Sequence, residues 1–140
     1  MLGFYDSDRN ALSTFRSVFD GQLGGDSVQK IYVRNTSVLK YYTNVVLSFL
    51  PGNYNDNGVW DDTGWSVKFL YGERRPTEAE WDSVLSAEPI QLPDIGNTNA
   101  ADDSTYHPIW IRVYAPGNQD AHRRTGHSMQ LTAEDHVVGA

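Results

Sequence analysis

The segment 64–85 constrains the fold of this chain more than any other part of the sequence. Its first half alternates between apolar and polar residues, with Trp65, Val67 and Phe69 on the apolar side. A period of two is the pattern of a β-strand that buries one face. These three side chains are therefore predicted to lie in the core of a β-sheet protein.

The second half of the segment carries the signals of a short helix. Thr77 and Glu80 follow Pro76 at the spacing of a capping box, in which each side chain accepts a hydrogen bond from the backbone N–H of the other residue. The pattern predicts a helix over about residues 77–86 that covers one end or edge of the core. The predicted buried face of this helix holds Trp81, Val84 and Leu85.

Turn signals separate further segments with strand-like alternation. These predicted strands cover 28–34, 41–49, 108–114 and 128–132, the last extending toward Val138. Their predicted buried faces hold, strand by strand, Ile31 and Val33; Tyr41, Thr43, Val45, Leu47 and Phe49; Ile109, Ile111 and Val113; and Met129 and Leu131. Five or six short strands with one inserted helix, and no regular strand–helix alternation, are typical of an antiparallel β-sandwich.

The residues before these strands allow two interpretations. A single domain is expected, with residues 27–140 as the sandwich and residues 1–26 as either an N-terminal arm or an edge strand. An arm would dock on a partner protein, whereas an edge strand would complete the core. The candidate docking contacts are Leu2, Phe4, Tyr5, Phe15, Val18 and Phe19.

Composition argues against several classes of protein. A net charge of −7 disfavours nucleic acid as the main partner, because binding phosphates needs a positive field. No apolar run approaches the ~18 residues of a membrane span, and the first residues lack the pattern of a signal peptide. The chain has no cysteine, which excludes disulfides and thiolate metal sites.

The sequence shows no set of residues that catalysis requires. It has no Gly-x-Ser-x-Gly nucleophile elbow and no glycine-rich phosphate loop, and its adjacent aspartates are interpreted as solvated loop residues. The four histidines lack zinc-motif spacing and are predicted to lie in loops or on the surface: His107, His122, His127 and His136. The chain is therefore predicted not to be an enzyme and to use no cofactor or metal.

One segment has part of a calcium-loop pattern. Residues 53–58 place oxygen-bearing side chains at alternate positions before a glycine, and Asp61 and Asp62 lie nearby. Gly64 stands at the twelfth position, where a bidentate glutamate would be required. A polar turn between strands is the preferred interpretation, and weak calcium binding is the alternative.

Aromatic residues are more abundant than a sandwich core must have. Four Trp, eight Tyr and five Phe are present in 140 residues. A core covered by the helix explains most of them, and the alternative is a surface platform that binds sugars or another protein. A carbohydrate-binding module is thus one hypothesis for the function.

Several segments also resemble known proteins. The segments 30–35 and 41–45 resemble the early strands of immunoglobulin-like sandwich domains, and 110–117 with 126–133 look like the closing hairpin of that class. The segment 64–85, with 92–96 after it, is similar to small structural proteins of tailed-bacteriophage virions. The resemblance covers roughly residues 28–133.

This resemblance implies an immunoglobulin-like β-sandwich with a structural role in a virion assembled in the host bacterial cytoplasm. It favours a capsid decoration protein that binds and stabilises the assembled shell. A neck, collar, tail or baseplate component is the alternative within the same class. The implied partners are the major capsid protein or other virion proteins, and further copies of the chain. Nucleic acid and membranes are not among them.

Overall fold

The computed structural model describes residues 2–13, 25–50, 66–97, 106–115 and 128–139. These residues form an antiparallel β-sandwich with one short helix, which confirms the predicted fold class. The elements in chain order are β1 (Leu2–Tyr5), β2 (Gly25–Asn35), β3 (Lys40–Leu50), β4 (Ser66–Tyr71), α1 (Glu78–Asp82), β5 (Ile90–Gln91), β6 (Tyr106–Ala115) and β7 (Ser128–Val137).

The strands form two sheets. The order is β1-β2-β6-β4 in the four-stranded sheet and β5-β3-β7 in the three-stranded sheet, and all pairs are antiparallel. When the two-residue β5 is set aside, the first sheet places the first, second, fifth and fourth strands side by side. This is the A-B-E-D order of immunoglobulin sandwiches, and β3 and β7 then occupy positions C and F.

The core lies between the sheets, where both inner faces exclude water. The buried cluster comprises Ile31, Val33, Val45, Leu47, Val67, Phe69, Leu92, Ile95, Ile109 and Ile111. The predicted inward residues of β2, β4 and β6 are thereby confirmed for the described residues, with Val113, Met129 and Leu131 half-buried at the rim. Trp65 lies outside the described residues.

The prediction of which β3 residues face the core is wrong for the first half of the strand. The register against β7 shifts between Thr43 and Val46, and Asn44 has a left-handed backbone with φ of 49°. This β-bulge adds one residue and reverses the alternation on either side of it. As a result Tyr42 packs against the core, whereas Tyr41 and Thr43 face outward.

The capping box of α1 is confirmed. The backbone N–H of Glu80 donates to Thr77 Oγ1 at 3.3 Å, and the backbone N–H of Thr77 donates to Glu80 Oε1 at 3.1 Å. These bonds satisfy two N–H groups that the first turn leaves without a helical partner. In the described part of the chain, no helix is long and apolar enough to cross a membrane.

The helix is shorter than predicted, and one of its predicted contacts is wrong. Its last residue is Asp82 and its C-cap is Ser83. Leu85 lies beyond this end, where helical spacing no longer sets its direction, and it is 73% exposed. Trp81 and Val84 are buried as predicted.

The helix covers the outer face of the four-stranded sheet. Lys68 and Arg112 alternate with core residues of β4 and β6, so their side chains point away from the core. Lys68 Nζ donates to the carbonyl of Trp81 at 3.1 Å, and Arg112 Nη1 donates to Glu78 Oε2 at 2.9 Å. Trp81 is therefore buried on the far side of this sheet, apart from the main cluster.

At each edge of the four-stranded sheet, a further segment of the chain is hydrogen-bonded to the edge strand. The backbone N–H of Leu12 donates to the carbonyl of Phe4 at 2.9 Å, which places the residues after β1 along its outer edge. At the other edge, the backbone N–H of Ala87 donates to the carbonyl of Val67 at 2.7 Å. These bonds satisfy backbone groups that an open edge would present to solvent or to another chain.

Candidate interaction surface

The outer face of β1, β2 and β6 brings aromatic and cationic side chains together. Register pairs Tyr5 with Tyr32 across β1 and β2, and Arg34 with Tyr106 across β2 and β6. The turn after β1 adds Arg9. We name this set the tyrosine–arginine patch; it comprises Tyr5, Arg9, Lys30, Tyr32, Arg34 and Tyr106.

Tyr106 is the centre of the patch. Its ring centroid lies 5.8 Å from that of Tyr5 and 5.6 Å from that of Tyr32, with interplanar angles of 80° and 79°. Edge-to-face packing of this kind places the positive ring edge against the negative face of its neighbour. Because all three tyrosines lie on paired strands, the sheet holds the rings in this arrangement.

Two guanidinium groups lie close to the Tyr106 ring. The Arg9 Cζ is 4.7 Å and the Arg34 Cζ 4.5 Å from the ring centroid, and Arg34 Nη1 donates to the Tyr106 hydroxyl at 2.9 Å. A third cation, Lys30, places Nζ 5.1 Å from the centroid of Tyr32. All these distances are within the roughly 6 Å range of cation–π attraction.

A tight turn positions Arg9. The Asp6 carboxylate accepts hydrogen bonds from the backbone N–H groups of Asp8 and Asn10 at 2.9 and 3.0 Å. Arg9 itself has φ of 66°, a left-handed conformation that is unfavourable for a side chain of this size. The hydrogen bonds of Asp6 offset that cost and hold Arg9 over the tyrosines.

Three cationic side chains meet in the patch, with the acidic side chains of Asp6 and Glu73 close by. They do so although the net charge of the protein is −7. Lys30 pairs with Glu73 at 3.1 Å; burial lowers the pKa of Lys30, but the interactions with Glu73 and Tyr32 together outweigh burial and the pKa is raised. Arginine side chains in such a cluster can donate hydrogen bonds to carboxylates of a partner protein.

The predicted docking contacts divide between three places. Leu2 and Phe4 lie on the inner side of β1 and pack against the core, so residues 2–5 form an edge strand. Tyr5 faces outward and belongs to the patch. Phe15, Val18 and Phe19 lie outside the described residues.

The other patch residues were missed in the sequence. Arg34 and Tyr106 are 72 positions apart and meet only through the pairing of β2 with β6. Alternation placed Arg34 at the end of the predicted strand 28–34 and left Tyr106 before the predicted strand 108–114. It gave no information on which strands are neighbours, and therefore none on the cluster.

The prediction that the histidines lie in loops or on the surface holds in part for the two described ones: both lie in strands rather than loops and are half-buried, and His136 faces outward. His107 is in β6, and burial lowers its pKa. His136 is in β7, where its ring stacks on Tyr41 with centroids 4.8 Å apart and its Nε2 lies 2.8 Å from Thr43 Oγ1. His122 and His127 lie outside the described residues.

The candidate calcium loop, residues 53–58 with Asp61 and Asp62, also lies outside the described residues. Within the residues that the structure does describe, no three or more histidine and carboxylate side chains are grouped as a metal site.

Comparisons with protein-family models, with characterised proteins and with solved structures find no significant match to this chain. The function is therefore inferred from the fold and from the tyrosine–arginine patch.

Proposed function

We propose that the protein is a non-enzymatic structural component of a tailed-phage virion, and that it decorates the capsid by binding the assembled shell. The observation that carries the binding role is the tyrosine–arginine patch. Tyrosine and arginine are enriched among the residues that dominate protein–protein binding energies. The resemblance of segments 64–85 and 92–96 to virion proteins is the reason for proposing a virion as the assembly that the protein binds.

The patch is suited to binding because the partly exposed rings of Tyr5 and Tyr106 are already ordered, with Tyr106 packed on the buried ring of Tyr32. Tyr5, Tyr32 and Tyr106 lie on strands, and their mutual contacts restrict the side-chain rotamers. Ordering a flexible side chain at an interface costs about 0.5–1.5 kcal/mol. A preformed cluster avoids most of that cost, so more of its contact energy contributes to affinity.

The arginine side chains of the patch favour an acidic partner surface. Arginine forms paired hydrogen bonds with carboxylates, and Arg9 and Arg34 lie on the same side of the sheet. The bound surface is therefore expected to present aspartate or glutamate side chains at the rim of an apolar centre. Binding should weaken as salt concentration rises, because salt screens attraction between exposed charges.

Decoration would stabilise a shell by mass action. A protein that binds only the assembled lattice stabilises it by RT ln(1 + [L]/Kd), which is about 2.7 kcal/mol per site at a free concentration of 100 Kd. A shell offers many equivalent sites, so modest affinity at each is sufficient. Catalysis has no part in this mechanism.

Two alternatives predict different partners. A neck, collar, tail or baseplate component would use the same patch on another virion protein. A carbohydrate-binding module needs open aromatic faces for sugar rings. In the patch, guanidinium groups lie over the ring of Tyr106 and an ammonium group lies near that of Tyr32, which weighs against sugar binding there.

Co-sedimentation of the full chain with particles of the phage that encodes it tests the proposal. We expect saturable binding to expanded empty shells, weakened about tenfold or more by Arg9→Ala. Arg75→Ala removes the same charge from an exposed position outside the patch and should bind like the wild type. Binding to tails alone would favour the alternative virion location. Absence of binding to any particle, or equal loss in both variants, would overturn the proposal.

A further inference from the structure

The outer edge of β7 is the longest open strand edge in the described residues. β7 spans ten residues and pairs with β3 on one side. No other described strand lies on its second side. By contrast, other segments of the chain are hydrogen-bonded to the edges of β1 and β4, and β5 has only two residues.

The topology marks this edge as the position of one more strand. In immunoglobulin sandwiches a strand G lies beside F and completes the second sheet. β7 occupies position F, and within the described residues position G is not filled. The core rim beside it consists of Phe49, Met129 and Leu131, which pack against the core but stay half-buried.

The chemistry of the edge differs between its two halves. The second half carries Glu134 and Asp135, and Asp135 Oδ2 lies 2.9 Å from Lys40 Nζ. Charges of this kind protect natural sheet edges from pairing with other chains. The first half, Ser128 to Thr132, has no charged residue and no proline. A strand can therefore pair with it without burying a charge.

We propose that the first half of this β7 edge binds an extended segment of a partner protein by strand addition. The segment would place apolar side chains at alternate positions beside Met129 and Leu131, and polar ones outward beside Gln130. Backbone hydrogen bonds supply affinity in this mode of recognition, and the alternate side chains supply specificity. This surface is separate from the tyrosine–arginine patch, and the inference does not depend on a virion setting.

A second copy of the chain is a poorer occupant than a foreign segment. Asp135 alternates with Met129 and Leu131 and therefore belongs to the same face of β7. Two β7 strands that pair antiparallel must keep their inner faces on the same side of the sheet. The two longest registers that do so place Asp135 opposite Met129 or Leu131. Such pairing would bring a carboxylate against the apolar rim, which costs free energy because the charge loses water.

Hydrogen exchange on the isolated full chain tests whether the edge is open. Alternate amides of residues 128–132 point toward β3 and should exchange slowly, whereas those between them should exchange nearly as fast as in an unfolded chain. Protection of every amide in this stretch would show that the protein covers its own edge. That result would overturn the proposal.

Disulfide trapping tests whether the edge binds a strand. Because the chain has no cysteine, an introduced cysteine is the single thiol of the protein. The Q130C variant would be mixed with capped peptides of about nine residues, in which valine alternates with threonine and a single cysteine is moved along the peptide. Gln130 is exposed on the outer face of β7, and Ser48 lies opposite it on β3. S48C is therefore the matched control, one strand further from the edge.

We expect the yield of mixed disulfide with Q130C to vary with cysteine position with a period of two. The yield of mixed disulfide for an unmodified peptide should be about fivefold higher than for the same peptide with N-methyl groups on the amides that face the edge. This ratio corresponds to about 1 kcal/mol. S48C should show neither dependence. Equal yields for all peptides would overturn the proposal.

Discussion

Removing the Trp81 side chain is expected to release the helix from the sheet. Trp81 is 2% exposed, although it belongs to a helix of only five residues. Isolated helices shorter than about 12 residues are marginal in water, so α1 depends on its contacts with the sheet. Trp81→Ala removes the largest of these contacts.

The expected magnitude follows from the burial of the side chain. A buried tryptophan removes about 200 Å² from water, which corresponds to about 5 kcal/mol at about 25 cal/mol per Å². Trp→Ala substitutions at buried sites cost about 3–5 kcal/mol. Because a short surface helix can relax into the space, we expect a loss of about 3 kcal/mol in the free energy of unfolding.

Urea unfolding followed by circular dichroism measures this loss as a lower midpoint with an unchanged slope. Trp81→Phe keeps most of the contact and should lose about 1–2 kcal/mol. Glu78→Gln, in an ion pair whose carboxylate is 77% exposed, should lose no more than about 0.5 kcal/mol. A loss below about 1 kcal/mol for Trp81→Ala would refute the view that α1 is held on the sheet by this residue.

Three further predictions concern stability. Arg112→Lys removes the paired hydrogen bonds of 3.0 Å to Asp26 and the bond to Glu78, so we expect about 1–2 kcal/mol lower stability in urea; an unchanged midpoint would contradict this. Asn35→Ala leaves two carbonyls without the donor of a fully buried amide and should cost about 1–3 kcal/mol by the same assay, whereas a neutral effect would mean that water replaces the donor. Burial lowers the pKa of His107, so the unfolded chain binds its proton more readily. Stability should therefore fall as pH is lowered below about 6.5; His107→Gln should flatten that dependence, and an equally steep profile in the variant would place the cause elsewhere.

Local patterns in the sequence predicted much of the fold. Period-two alternation identified the inward residues of β2, β4 and β6, because these strands are regular over the described residues. The capping box identified the start of α1. The bulge at Asn44 was not predicted, since one extra residue in a strand has no reliable signature in its sequence.

The candidate interaction surface was less predictable for a physical reason. Tyr5 was singled out as a candidate contact, but its neighbours in the patch come from three separate segments of the chain. Arg9 depends on the turn that Asp6 stabilises, and Tyr106 depends on the register of β6 against β2. Such contacts are set by strand order, which alternation within a strand does not specify.

We propose that the protein docks on an assembled shell through the outer face of its four-stranded sheet. A cryo-EM reconstruction of expanded shells incubated with the full chain would show this docking. We expect density at fixed lattice sites, with Arg9, Arg34 and Tyr106 facing acidic residues of the shell. Shells without added density, or density that contacts the shell through the other sheet alone, would contradict it.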